Sequence, residues 1–143
     1  MNWSLPMTYR AHAFPVSIKG VIVRDGRVLL LRNERDEWEL PGGKLEPGED
    51  PPDRLAQEIL EEVGWEAAVG PILDSWQYHI REGADVLIVT YGATVTTDKP
   101  PVASHEHKQV GLFKEDEVPE LNMPSGYKRS IANWFARLRN SMG

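Results

Sequence analysis

Between Gly42 and Trp65 the chain reads GGKLEPGEDPPDRLAQEILEEVGW, and no other part of its 143 residues constrains local geometry so closely. Asp50 suits a helix N-cap, Pro51 suits the first helical position, and Asp53 puts an acid where the helix dipole favours one. Gly64 stands where a helix ends in a left-handed residue. The spacing therefore predicts a helix over 51–63. Leu55, Ala56, Ile59, Leu60 and Val63 recur at helical intervals and are expected to form its buried face. Glu58, Glu61 and Glu62 fall at i, i+3 and i+4, on a ridge expected to lie away from most of that stripe. Arg54, four residues before Glu58, is the local cation placed to offset them.

Carboxylates with few counter-ions suit a hard divalent cation, above all Mg2+, which takes carboxylates, waters and substrate phosphates together. The pattern E-x-x-E-E by itself is ordinary on a solvated helix face. What argues for a site is the company it keeps at fixed spacing: a two-glycine turn at Gly42–Gly43, an acid at Glu49, and the capped helix.

The segment resembles the Nudix box, G-x5-E-x7-R-E-U-x-E-E-x-G-U, where U is bulky and apolar. Gly43, Glu49, Glu58, Ile59, Glu61, Glu62, Gly64 and Trp65 stand where the pattern asks, and Trp38-Glu39-Leu40-Pro41-Gly42 is similar to the family's lead-in. Gln57 departs from it, replacing the usual arginine. The resemblance implies an α/β fold, an α/β/α sandwich with a mixed β-sheet between helices. It also implies a hydrolase that cleaves a nucleoside diphosphate linked to another group, using Mg2+ or Mn2+. Carried over by position, Glu61, Glu62 and the Gly42 carbonyl are expected as metal ligands, and Glu58 as a ligand or as the base that activates water. Gln57 cannot supply the charge by which the family's arginine orients these acids, so weaker orientation, or replacement by Arg54, is expected in place of loss of the site.

Charge points the same way. With 22 Asp+Glu against 16 Lys+Arg the protein is acidic, and so is a pyrophosphate, so metal ions are needed between them. They would polarise the phosphoryl group, acidify a bound water and stabilise the leaving phosphate, while a glutamate takes the water proton. The net charge of -6 disfavours a general nucleic-acid surface. There is no cysteine, no apolar run long enough to span a membrane, and no signal-peptide core in the opening residues, which leads us to expect a cytoplasmic protein. The length suggests one domain over 1–143, with 1–13 a flexible or docking arm in which Trp3 and Tyr9 are the contact residues.

Around the box the pattern is mostly β. Val16–Val23 and Val28–Leu31 flank Asp25-Gly26, a strong hairpin signal. Arg32 at the strand end and Lys44 in the box loop are candidate phosphate contacts, or simple loop cations. Beyond the helix, Ala67–Val69 reads as a short strand and Pro71 as a break. Ile72–Ile80 and Ala84–Thr96 follow as longer strands joined at Arg81-Glu82-Gly83. Trp76, Tyr78 and Ile80 share one strand face and serve either as a stacking surface for a base or as core. In the loop Ser104-His105-Glu106-His107 the His-x-His pair makes no metal site alone. Relatives often carry an acid in the loop before the strand expected at Gln109–Phe113, which makes Glu106 a further ligand or base. An acidic helical turn at Glu115–Pro119 precedes a helix from about Tyr127 to Leu138, buried through Ile131, Trp134, Phe135 and Leu138.

The leading substrate class is a nucleoside triphosphate or modified nucleotide. Nucleotide sugars, ADP-ribose and dinucleoside polyphosphates come second, and a non-catalytic nucleotide sensor is the alternative of another class. ADP-ribose hydrolases of this type often carry a proline about fifteen residues beyond the box, where this chain has Tyr78-His79-Ile80-Arg81. Sensors usually have an eroded box, whereas every glutamate is present here. Relatives are commonly dimers, so a homodimer is a candidate assembly.

Overall fold

A computed structural model describes residues 12–105, 107 and 109–142. The expectations for the arm, including Trp3 and Tyr9, and for Glu106 fall outside the described residues.

Strands β1 (Val16–Arg24) and β2 (Arg27–Arg32) form the predicted hairpin. Asp25 and Gly26 both take positive φ, 53° and 76°, the twist that a tight two-residue turn needs. The pairing runs through Val23↔Val28 and Arg24↔Arg27, and then the two strands part. The segment that follows fills the fork between them. Its first piece, β3 (Trp38–Glu39), pairs with the far end of β2, and its second, β4 (Gly42–Lys44), pairs with the near end of β1. The Gly20 N–H donates to the Pro41 carbonyl at 2.9 Å and closes the seam. The fork delivers Gly42 and Gly43 to the start of the helical layer.

Strand β6 (Ala84–Thr94) lies parallel to the other edge of β1, and β5 (Ala68–Arg81) runs antiparallel beyond it. Strand β7 (Gln109–Lys114) pairs with β2. The resulting sheet is mixed and runs in the order β3-β2-β1-β6-β5, with β4 on β1 and β7 on β2. One helix covers each face: α1 (Pro51–Val63) and α2 (Ser125–Met142). Alternation along the strands divides the core in two. Ile18, Ile22, Leu29 and Leu31 pack with Leu55, Ile59 and Val63 of α1. Val21, Val28 and Leu30 pack with Tyr127, Ile131, Trp134 and Phe135 of α2. This is the expected α/β class with helices on both sides of a mixed sheet.

Helix α1 starts and stops where its sequence predicts. The Asp53 N–H donates to the Asp50 carboxylate at 3.2 Å, and Gly64 closes the helix at φ 77°. Its buried face keeps the expected Leu55, Ile59 and Val63 but differs at two positions: Leu60 is exposed and Glu62 is buried. At about 100° per residue, Glu62 projects between Glu58 and the Leu55–Ile59 line, while Leu60 points nearly opposite. One glutamate of the ridge therefore enters the interior.

Three boundaries also differ. Ala68–Arg81 is one strand, because Pro71 sits where the register with β6 slips between Val69 and Ile72, and a bulge absorbs it instead of a break. The next strand ends at Thr94, two residues early. Helix α2 is longer than its apolar stripe, since polar residues extend it to Met142. A 3-10 helix over Glu115–Glu120 fulfils the expected acidic turn.

Candidate active site

Two carboxylates of α1 meet the two glycines of the fork. The Gly42 N–H donates to Glu62 Oε1 at 3.0 Å. Gly42 has φ 147°, and a Cβ there would lie 2.0 Å from the Ile18 carbonyl oxygen, so only glycine fits. At Gly43 the missing side chain leaves room for Glu58: a Cβ would stand 2.9 Å from its carboxyl carbon. Arg54 pairs with Glu58 Oε1, and its Nε lies 3.6 Å from Glu49 Oε2. The cation supplied by Arg54 thus spans two acids of the box. Gln57 instead donates to Glu61 Oε1 at 3.1 Å on the exposed side.

Behind Glu62 lies a second layer of charge. His107 Nε2 is 3.2 Å from Glu39 Oε1 and 3.8 Å from Glu62 Oε2. Glu39 also accepts from the Asn33 amide at 3.1 Å. The ammonium of Lys19 reaches the fork and donates to the Leu40 carbonyl at 3.2 Å. Burial alone would lower the Lys19 pKa, but Tyr127 and the acids Glu39, Glu62 and Glu58 raise it, so the ammonium persists. Burial likewise opposes the charge on Glu39, yet the His107 hydrogen bond, Lys19 and Asn33 hold its pKa down to about 2. The hydrogen bond to Glu39 raises the pKa of His107 against its burial. Glu62 goes the other way. Burial pushes it up to about 7, with Glu58 adding to the rise, against Lys19, the Gly42 N–H and His107.

On the α2 side of the fork a cavity of about 150 Å3 opens beside these residues. Lys19, Glu39, Tyr78, Ile88, Pro124 and Tyr127 are among its lining residues. An apolar slot with a few convergent polar groups is the usual form of a small-molecule site.

Residues 14–135 match the family model of the NUDIX domain. The chain belongs to the Nudix hydrolase family. Over 107 residues it is 51% identical to a MutT-like protein of Streptomyces ambofaciens, covering 73% of this chain and 67% of that protein. Over 106 residues it is 34% identical to the CTP pyrophosphohydrolase of Escherichia coli (strain K12), covering 71% of this chain and 76% of that enzyme. The crystal structure of a MutT NUDIX hydrolase from Burkholderia pseudomallei superposes with a TM-score of 0.74 at 25% identity, over 85% of this chain and 98% of that one. For three curated bacterial relatives the share of their length that this chain spans is 61% to 76%, and for two others it falls to 40% and 17%.

Within the Nudix box, Gly42, Glu58 and Glu62 come together. Glu61 stays outside with Gln57. Among the described residues no three acidic or imidazole side chains already surround one point as a metal cage would. The donor set nevertheless fits a hard cation: it offers oxygen ligands only, and burial raises Glu62, whose charge a bound cation would offset. Arg32 turns to Asp36 at 3.6 Å and to Gln109 at 3.4 Å, so its contacts lie within the sheet end. Lys44 is exposed and lines a wider hollow of about 660 Å3 with Phe14 and Ile80. Trp76 packs edge-on against Tyr127, 5.5 Å between ring centres, and belongs to the core side of the two readings. Tyr78 lines the cavity. Lys19 escaped the sequence reading, which met Glu39 only as part of the lead-in and His107 only in the His-x-His pair, with no role for either at this site. Lys19 interrupts the apolar run Ile18–Val23, which was the available signal; Glu39 and His107 become partners only through the fold.

Proposed function

We propose that this chain hydrolyses the phosphoric anhydride linkage of a nucleoside diphosphate joined to another group, with a nucleoside triphosphate or modified nucleotide as the leading substrate. The observation that carries the reading is the seating of the Glu58 and Glu62 carboxylates against consecutive glycines, across the fork from a cavity of about 150 Å3 lined by Lys19, Glu39, Tyr78 and Tyr127. The triphosphate class is favoured by the E. coli relative whose name gives CTP as its substrate. Nucleotide sugars, ADP-ribose and dinucleoside polyphosphates remain the second group to assay.

In this reading Glu62, the Gly42 carbonyl and, from the exposed side of the helix, Glu61 would hold Mg2+ or Mn2+, with Glu58 a further ligand or the base. When bound, the cation offsets the phosphate charge and makes a water more acidic. Arg54 keeps Glu58 turned toward Gly43, and the Gly42 N–H keeps Glu62 from rotating. Water attacks phosphorus, its proton passes to a carboxylate (Glu58 or Glu106), and the anhydride oxygen leaves with the bonding electrons. Tyr78 and Tyr127 offer aromatic surface to the base, and Lys19 faces the phosphate end. Trp76 acts behind Tyr127, while Arg32 and Lys44 are outer contacts for longer leaving groups. Residues 1–143 form one catalytic domain in this reading, working in the cytoplasm as a monomer or homodimer on small molecules. The acidic charge speaks against nucleic acid, and among the described residues no helix is long and apolar enough to cross a membrane.

The test is release of phosphate and pyrophosphate from a panel of nucleotides with Mg2+ and Mn2+, beside Glu62→Gln. Release from one class, absent in the variant, is expected. Silence across the panel with nucleotide binding retained would overturn the reading in favour of a sensor.

A further inference from the structure

We propose that Glu39 is a positioning residue for hydrolysis, acting on Glu62 through His107 and tying that carboxylate to the mouth of the cavity. The inference rests on the hydrolase reading above. Glu39 sits at the end of β3, on the strand that fills the fork, and each of its oxygens meets a donor. Oε1 lies 3.2 Å from His107 Nε2, and Oε2 accepts from the Asn33 amide at 3.1 Å. The same Asn33 organises the turn at the cavity mouth, its Oδ1 accepting from the backbone N–H of Arg35 at 2.9 Å and of Glu37 at 3.1 Å. On the other side, the imidazole edge held by Glu39 faces Glu62 Oε2 at 3.8 Å, while Glu62 Oε1 is held by Gly42.

Glu62 Oε1 is therefore fixed by a hydrogen bond, while Oε2 faces, at ion-pair distance, the imidazole that Glu39 holds in place. An ionised Glu39 can only accept, so both of its contacts, the Asn33 amide and His107 Nε2–H, are donors. A glutamine there can accept from Asn33 and turn its amide to Nε2, which releases the imidazole proton to Nδ1. The carboxylate also keeps the His107 proton on Nε2, the nitrogen directed at both acids. A charged Glu39 is maintained at neutral pH by His107, Lys19 and Asn33 against its burial. Groups that orient a ligand typically matter by about 10-fold or more although they touch neither metal nor substrate.

The experiment compares Glu39→Gln, His107→Gln and the double variant with the wild-type chain. Three readouts are kcat and KM on the substrate found in the panel, Mn2+ binding to the substrate-free protein by loss of the free-ion EPR signal, and the His107 tautomer by long-range 15N–1H NMR. Each single variant is expected to lose about 10-fold in kcat with KM within about twofold, and to bind Mn2+ more weakly. The double variant should be no worse than the weaker single, the mark of one shared path. In the wild type the His107 proton should reside on Nε2. A rise in KM with kcat unchanged would make Glu39 a substrate contact and overturn the proposal, as would additive losses or an Nδ1 tautomer. If the wild-type chain cleaves nothing, the hydrolase reading fails, while unchanged Mn2+ affinity in both variants would sink the positioning role separately.

Discussion

Gly43→Ala should damage catalysis while leaving the fold nearly intact. The backbone at Gly43 carries no positive φ, so alanine meets no strain of its own. Its Cβ would lie 2.9 Å from the Glu58 carboxyl carbon and 3.0 and 3.1 Å from its two oxygens. Ordinary carbon contacts relax near 3.7 Å, so the carboxyl must retreat by roughly 0.8 Å. The atoms that move are the far end of a side chain, and folding therefore loses little: Tm should fall by no more than about 4 °C. Catalysis is less forgiving, because displacements of about 1 Å at reacting groups cost up to about 100-fold, or about 2.7 kcal/mol. We expect kcat/KM to fall by 10- to 100-fold, measured with the substrate identified in the panel and saturating Mg2+. Gly42→Ala is the contrast, since its Cβ would overlap the Ile18 carbonyl at 2.0 Å and the chain should fold poorly. If Gly43→Ala retains activity within about twofold, the position of Glu58 against that glycine is irrelevant to turnover, and the geometric reading of the site fails.

Glu61→Gln or Glu62→Gln should reduce turnover by at least about 100-fold with circular dichroism unchanged; activity equal to wild type in either, at saturating Mg2+, removes that residue from the ligand set. Gln57→Arg should be tolerated and can raise the rate, because Gln57 donates to the exposed Glu61; a 100-fold loss, about 2.7 kcal/mol, would give Gln57 a role of its own. Thr90→Val removes the partner of the buried Ser130 hydroxyl, 2.8 Å away, and should cost about 1–3 kcal/mol in urea unfolding with kcat unaffected. For Glu39, the fall in pKa from 4.5 to about 2 is worth about 3 kcal/mol at most. That stability is fully present above the unfolded pKa and is lost as pH falls from 4.5 toward 2, so unfolding curves between pH 6 and pH 3 should be shallower in their pH dependence for Glu39→Gln.

The local features were legible because each depends on neighbours in the chain. Asp50, Pro51 and Gly64 define α1 through its own backbone, and Asp25-Gly26 defines the hairpin through its torsions. The pairing of Arg54 with Glu58 follows from helical spacing. Glu62 shows the limit: its burial depends on the Gly42 N–H, which comes from 20 residues earlier. Lys19, Glu39 and His107 lie on separate strands and loops, and nothing in their spacing says that the fork between β1 and β2 gathers them. Pro71 misled because proline ends a central strand but is tolerated at a bulge on an outer one.

The sheet also works as a partition. The acids of α1 belong to one face, and Tyr78, Ile88, Pro124 and Tyr127 line the cavity on the other, with the fork as the passage between them. On the proposed reading, substitution at Tyr78, Ile88 or Pro124 alters what is admitted without touching an α1 carboxylate, whereas Lys19 and Glu39 serve both sides. For anyone redesigning this protein, the α2 face is where a new substrate should be sought.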